Sequence, residues 1–423
     1  MPSYTIFELA TGGCLDTIAA GLTGAFHHLG GTEDVSTAIG RAKAKLFSDI
    51  TGAKCYGDTR GWRKWSSKVK GKVDYLKSGQ PCTDYASLGA KTGRHGKTGD
   101  LFLEQTDLIL EIEPKIFRLE MVPTALDVNK GYEIEQVITK LSTRYNVSSK
   151  ILQVWQYGDP SARKRIFIVG LHKDHFEEAS WSWPEEVFDD NIFPIARDIA
   201  VPDESVAKHA WIERDAYHYV SKREDGSLIK PQAGDIQHVA YCGNPTKPWT
   251  AGHSSKPNGV KGWDGIVPTQ MGTGGGHIMT PLDWKPGQEL TKCRKIVPLE
   301  TLACASLHAE EYMKLAKTHR DDKAGLSSRD WLRELVNLGV PICTSVAIDE
   351  QVTKVLEHQK CLTRDPLSLG KTFRCTLLQA DSKDDKEDPL EYPSEAYAFK
   401  AQLGTKVERG RPVIMWGPSK ARE

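Results

Sequence analysis

The chain has 423 residues, and its 56 Lys+Arg balance 56 Asp+Glu. Zero net charge excludes a generally polycationic nucleic-acid binder, so any such contact must come from local patches. Its nine cysteines are scattered without CxxC spacing and read as reduced intracellular thiols, not as a disulfide framework or zinc cage.

The length allows two to three domains of about 100–200 residues each. No apolar run is long enough to span a bilayer, and residues 1–9 have no signal-peptide layout, so the expectation is an intracellular, soluble protein. Residues 1–172 alternate in the manner of an α/β domain. Residues 4–9 form a short apolar run closed by the turn Thr11-Gly12-Gly13, and residues 15–26 read as a helix. Residues 73–76 are a strand candidate ahead of Ser78-Gly79-Gln80-Pro81-Cys82. Helical periodicity follows over 101–112, a strand over 116–122, and an amphipathic helix over 132–145. Residues 151–156 and 166–171 form a final strand pair around Tyr157-Gly158-Asp159-Pro160. From 181 to 284 Pro, Gly, Trp and polar residues dominate, which predicts a loop-rich, mostly β insert. Helical pattern returns at 299–317, 329–338 and 346–356, and the acidic run 381–391 reads as a solvated loop or linker.

Four groups of residues carry chemistry. Cys82 follows a proline at a strand end, the crevice edge where open α/β sheets bind ligands. A lone cysteine is more often a small buried thiol. Against that stands the glycine-rich basic stretch that follows, with Lys91, Gly93, Arg94, Gly96, Lys97 and Gly99. Glu120 closes an apolar strand, where it either points into the crevice as a proton donor or caps the next helix. Arg163 and Arg165 alternate onto one face ahead of residues 166–171, able to hold carboxylates or phosphates unless they are a solvated strand end. Glu8 precedes the Gly12-Gly13 turn, Glu33 lies about 20 residues beyond it, and Asp58 follows, an arrangement similar to nucleotide-binding βαβ units with an acid on the ribose. Residues 60–72, rich in Arg, Lys and Trp, are either a backbone-tracking patch or a solvated helix face.

In order and spacing these pieces resemble the cytosine-5 DNA methyltransferases over roughly residues 4–350. The family's Pro-Cys motif appears as Gly79-Gln80-Pro81-Cys82-Thr83-Asp84-Tyr85, and its Glu-Asn-Val motif as Glu120-Met121-Val122. Its Gln-x-Arg-x-Arg motif appears as Ser161-Ala162-Arg163-Lys164-Arg165, and Arg-Asp-Ile as Arg197-Asp198-Ile199. The target-recognition signature appears as Pro268-Thr269-Gln270-Met271-Gly272 with further glycines to Gly276, followed by Arg294 to Glu300 and by Leu338-Gly339-Val340-Pro341. Met121, Ser161, Leu9-Ala10 and Leu338 depart from the family pattern, and Cys82, Glu120, Arg163 and Arg165 do not.

The resemblance implies a Rossmann-like, S-adenosylmethionine-dependent α/β fold with a mostly parallel seven-stranded sheet, and a smaller, mostly β target-recognition domain. The expected division is a catalytic and cofactor-binding part over 1–180, recognition over 181–318, a return over 325–356 and an extension of unassigned role over 357–423. It implies covalent catalysis by Cys82 at C6 of a flipped cytosine, with Glu120 on the ring's N3 and amino group and Arg163 and Arg165 steadying base and carboxylate. Glu8, Gly12, Gly13, Glu33, Asp58 and Pro81 are the expected S-adenosylmethionine contacts, with Glu33 on the ribose and Asp58 on the adenine. Arg94, on the lid over 83–100, and Thr269 and Gln270 are the expected contacts to double-stranded DNA. A monomer needing no metal is expected. Two alternatives stay open: a related enzyme acting on tRNA, and a catalytically silent methyltransferase-like partner.

Overall fold

The computed structural model describes residues 3–86, 92–96, 98–176, 180–189, 196–213, 260–263, 266–267, 269, 278–285, 292–307, 331, 335–336 and 339–361, and the strands at 221–222, 228–229, 399–408 and 411–418. The first half builds one sheet. In chain order come β1 (Tyr4–Leu9), α1 (Leu15–Thr23), β2 (Phe26–Gly31), α2 (Ala38–Thr51), β3 (Tyr75–Ser78), α3 (Leu101–Ile112), β4 (Ile116–Met121), α4 (Tyr132–Leu141), β5 (Tyr145–Gln153) and β6 (Lys164–His172). The strands lie in the order β2-β1-β3-β4-β6-β5. β2, β1, β3 and β4 pair in parallel, and β6 runs antiparallel to both its neighbours.

Among the described residues the sheet has six strands, where seven were expected. Beyond β2 the place of a further strand is reduced to one parallel bridge between Gly31 and Cys55. The chain leaves at Gly57, in the left-handed region at φ 84°, before a ladder can form.

The central strands are apolar on both faces because helices cover both. Phe7, Leu76, Phe117 and Leu119 pack on the side of α3 and α4, with Leu108, Ile109, Ile134 and Val137. Ile6, Tyr75 and Ile116 face the other side, packed with Ile348, Val352 and Leu356 where the chain returns to the sheet.

Several predicted boundaries shift. The helix expected over 15–26 stops at Thr23, because Gly24 takes the left-handed cap and Phe26 opens β2. The helix expected over 132–145 ends at Leu141, and Tyr145 starts β5 with its ring 4.9 Å from that of Phe117. The strand expected over 73–76 is displaced to 75–78, and that expected over 151–156 begins six residues earlier and gives way to a 3-10 turn at Val154–Tyr157. β2 and α2 had no clear signal: β2 reads Phe-His-His-Leu-Gly-Gly, and α2 alternates small residues with lysines.

After β6 the chain forms β7 (Trp211–Glu213), β8 (Ser221–Lys222), β9 (Leu228–Ile229), β10 (Val260–Lys261), β11 (Ile278–Met279) and β12 (Lys292–Lys295). A second sheet has the order β10-β11-β12-β7, in keeping with the predicted β insert. Its core joins Trp263, Val267, Met279 and Ile296. Arg294 is fully buried there, paired with Glu300 at 2.8 Å and Asp203 at 2.9 Å. Then come α5 (Pro298–Ala303) and α6 (Ile342–Cys361), which lays Ile348, Val352 and Leu356 against the first sheet. β13 (Phe399–Glu408) and β14 (Arg411–Pro418) form an antiparallel hairpin. The acidic run 381–391, most of 308–338 and Leu338 lie outside the described residues.

A buried charge network ties α6 to the sheet. Lys77 on β3 reaches Asp349 at 2.7 Å, and Arg118 on β4 reaches Asp16 at 2.5 Å. Ser345 donates to Asp16 and accepts from Lys77 and Arg118, and the Tyr75 hydroxyl donates to Asp349. Lys77, Arg118 and Asp349 are each at most 1% exposed, so only mutual pairing offsets their desolvation.

Candidate active site

The C-terminal ends of β1, β3 and β4 form one edge of the sheet. β3 delivers Gly79-Gln80-Pro81-Cys82 there, anchored by Gly79 N–H donating to Leu9 O at 3.4 Å. A Cβ on Gly79 would stand 3.9 Å from Glu120 Oε2. Glu120, near the end of β4, is buried, and Arg165 on neighbouring β6 brings Nε within 2.6 Å of Glu120 Oε1. The pair is a close ionic contact without hydrogen-bond alignment.

Cys82 is half-buried against the same core. Burial raises its thiol pKa, the charge of Glu120 adds to the rise, and Arg165 and Arg163 oppose it. The four expected catalytic residues therefore share one electrostatic environment. Burial, with the like charge of Arg165, pushes the Arg163 guanidinium below its ordinary value, although an arginine stays protonated. Arg163 and Arg165 are buried and Lys164 between them is exposed, the alternation the sequence predicts.

The loop before β6 holds these arginines through a residue the sequence reading did not single out. Asp159 accepts from Ser306 Oγ at 2.6 Å, Thr344 Oγ1 at 2.6 Å, Thr344 N–H at 2.9 Å and Cys343 N–H at 3.1 Å. It thereby caps the start of α6 and pins the arginine loop. Ser161 bridges Val267, and Ala162 N–H donates to Val267 O at 2.7 Å. Thr269, two residues on and half-buried, is thus carried to the arginine loop, and Gln270 lies outside the described residues.

Of the expected cofactor residues, Glu8, Gly12, Gly13 and Glu33 lie at or just beyond the ends of β1 and β2, while Asp58 and Pro81 lie further along the chain. Glu8 accepts from Thr17 Oγ1 at 2.7 Å and lies 2.8 Å from His28 Nε2. Burial pushes its carboxyl up, but His28 and Lys77 bring it below the ordinary value, so it stays ionised within the β1–α1–β2 frame. Gly12 takes the left-handed region at φ 51°, where a Cβ would stand 3.8 Å from Ala10 O, and its N–H donates to Glu33 Oε2 at 2.8 Å. Burial raises the Glu33 pKa. Gly13 serves packing instead: a Cβ there would meet Leu335 O at 2.0 Å. Asp58 accepts from Arg60 N–H at 2.7 Å and starts a 3-10 turn. Pro81 is exposed. Thr11 was not foreseen; its hydroxyl is buried with no hydrogen-bond partner among the described residues.

Arg94 is not drawn to the Cys82 cluster. It is exposed and lines an open cleft between α3 and α4 with Asp100, Glu104 and Lys140. In residues 60–72 the tryptophans match neither a backbone-tracking patch nor a solvated face: Trp62 and Trp65 are core residues, while Arg60 pairs with Asp100 at 2.7 Å and Lys70 with Glu111 at 3.4 Å. The described residues contain no group of three or more His, Cys, Asp or Glu arranged for a metal ion, and no helix among them is long and apolar enough to cross a membrane.

A family model for the C-5 cytosine-specific DNA methylases matches residues 15–300. The Type II methyltransferase M.HpaII of Haemophilus parainfluenzae is 30% identical over 164 residues, 38% of this chain and 45% of that protein. M.MthTI of Methanothermobacter thermautotrophicus is 30% identical over 131 residues, 31% of this chain and 39% of that protein. These matches span less than half the length of either relative. A DNA modification methyltransferase encoded within an E. coli prophage has a TM-score of 0.53 at 14% identity, covering 84% of this chain and 100% of that one. S. pombe Dnmt2 gives 0.52 at 12% identity, covering 84% and 99%. At such identities the likeness shows the fold: an α/β, Rossmann-like methyltransferase.

Proposed function

The chain belongs to the C-5 cytosine-specific DNA methylase family, and on that premise we propose that it methylates C5 of a cytosine flipped out of double-stranded DNA, with S-adenosylmethionine as donor. The observation that carries the reading is the clustering of Cys82, Glu120, Arg163 and Arg165 at one sheet edge. Cytosine C5 is a poor nucleophile, and a thiolate at C6 corrects that. The Cys82 S–C6 bond forms and the ring electron pair moves toward C5 and N3. Glu120 meets N3 and the amino group, and Arg165 fixes the Glu120 carboxylate. C5 would then take the methyl from the donor's sulfonium, the broken S–C bond leaving its electron pair on that sulfur; a base removes the C5 proton, and that electron pair re-forms the double bond as Cys82 leaves with its own.

The edge of β1 and β2 fits the donor. Gly12 turns in the left-handed region at φ 51°, and the buried Thr11 hydroxyl lacks a partner among the described residues, as expected where a polar ligand sits. Thr11, Gly12, Glu33, Asp58 and Pro81 would hold S-adenosylmethionine, which supplies an electrophilic methyl on a sulfonium. Glu8 and Gly13 would act behind them, by holding the turn.

We assign catalysis to residues 1–180, recognition to 181–318 and the return to 325–356, with 357–423 as an extension. We propose recognition contacts from Thr269 and Gln270; the Ser161–Val267 bridge supports the placement of Thr269 beside the arginines.

The test is covalent trapping on 5-fluorocytosine, whose fluorine blocks the last proton loss. A Cys82-dependent adduct on duplex DNA is expected, absent in Cys82→Ser. An adduct on tRNA only would transfer the reading to RNA. Donor binding without an adduct on either would make the chain a silent partner.

A further inference from the structure

Gln80 is 3% exposed, and neither its Oε1 nor its Nε2 has a hydrogen-bond partner among the described residues. A buried amide without partners is costly, and natural proteins rarely keep one without a use. Its surroundings suggest the use. Gln80 and Cys82 turn inward from the end of β3 while Pro81 between them is exposed. Gly79, on its other side, borders the Glu120 carboxylate. Ser78, two residues back, already donates to Gln105 Oε1 at 2.5 Å, so the neighbouring polar side chain on this strand is satisfied and Gln80 is the exception.

Cytosine matches this orphan. Its polar edge carries two amino hydrogens and two acceptors, ring N3 and carbonyl O2, so beside the Glu120 carboxylate and the arginines there is still a place for an amide partner. A glutamine amide offers one acceptor and an NH2 donor in a fixed plane. We infer that the Gln80 amide contacts the polar edge of the flipped cytosine and is a substrate-binding residue of this site. The inference rests on the methyltransferase reading above. It also explains why an unsatisfied group is kept: the amide is prepared for a partner present only during reaction.

The experiment compares wild type with Gln80→Leu, and with Gln80→Met should the leucine variant fold poorly. Three quantities are read: the melting temperature of the free enzyme, the affinity for S-adenosylhomocysteine without DNA, and the adduct rate on 5-fluorocytosine duplex at saturating S-adenosylmethionine. Removing an orphan amide should leave the melting temperature equal or higher. The adduct rate should fall about tenfold or more, as for one lost hydrogen bond, with S-adenosylhomocysteine affinity unchanged. A wild-type adduct rate in the variant would overturn the inference. A loss confined to S-adenosylhomocysteine affinity would also overturn it and assign the amide to the donor. If wild type itself forms no adduct, the functional reading fails; if wild type reacts and Gln80→Leu reacts equally, only this inference fails.

Discussion

Arg165 Nε stands 2.6 Å from Glu120 Oε1 across the adjacent strands β4 and β6. The antiparallel register sets Glu120 opposite Phe167, so Arg165, two residues along, shares the face of Glu120's partner position. Strand order thus makes a pair from residues 45 positions apart. It also places a cation where it both steadies the carboxylate and favours a thiolate at Cys82.

Glu120→Gln separates these two effects. Loss of the negative charge, which raises the Cys82 pKa, should lower that pKa and quicken alkylation of Cys82 by iodoacetamide at neutral pH. Methyl transfer should nonetheless fall, by roughly 10²–10³-fold, because ring charge loses its stabiliser. The pH dependence of alkylation, read on the Cys82 peptide by mass spectrometry, checks the sign. A slower alkylation than wild type would contradict this account.

Arg165→Ala should act in the opposite direction on the thiol. The Cys82 alkylation midpoint should move to higher pH, since burial and Glu120 then act with only Arg163 to offset them. Unchanged alkylation would mean that Arg165 serves Glu120 alone.

The buried network should control acid stability. Asp16 is held at about 2, down from 3.8: burial pushes it up, and Arg118, Lys77 and the Ser345 hydroxyl outweigh that. A depressed carboxylate contributes stability present above its unfolded value and lost as pH falls through the folded one. About 2 kcal/mol should therefore disappear between roughly pH 4 and pH 2. Urea titrations of wild type and Asp16→Asn across that window should converge as pH falls.

Asp159→Ala should cost roughly 2–4 kcal/mol, because four donors at 2.6–3.1 Å lose one acceptor inside the core. Thr344→Val removes one of those donors and should cost less. Equal denaturation midpoints for Asp159→Ala and wild type would refute the cap.

Arg94→Ala should weaken DNA affinity and reduce the salt slope by about 1, if the exposed guanidinium turns to a phosphate when DNA binds. Fluorescence titration at several salt concentrations measures it, and an unchanged slope would remove Arg94 from the interface.

Local chemistry in the sequence was sufficient for α3, found over 101–112 with the predicted bounds, and for the strands β1, β4 and β6. Apolar runs and helical periodicity are short-range signals, and they survive folding because the core demands them. The same holds for the motif residues: Cys82, Glu120, Arg163 and Arg165 are recognisable by type and spacing. Tertiary structure decided what no local pattern encodes. β2 and α2 lack strong periodicity and exist because β1 and the core cover them. Asp159, Val267 and Ser306 meet at the arginine loop although 147 positions separate the first from the last. Trp62 and Trp65, a binding patch or a helix face on paper, became core because burying their rings leaves Arg60 and Lys70 free to pair at the surface. That the Gln80 amide has no hydrogen-bond partner among the described residues is likewise a property of space, which no local pattern encodes.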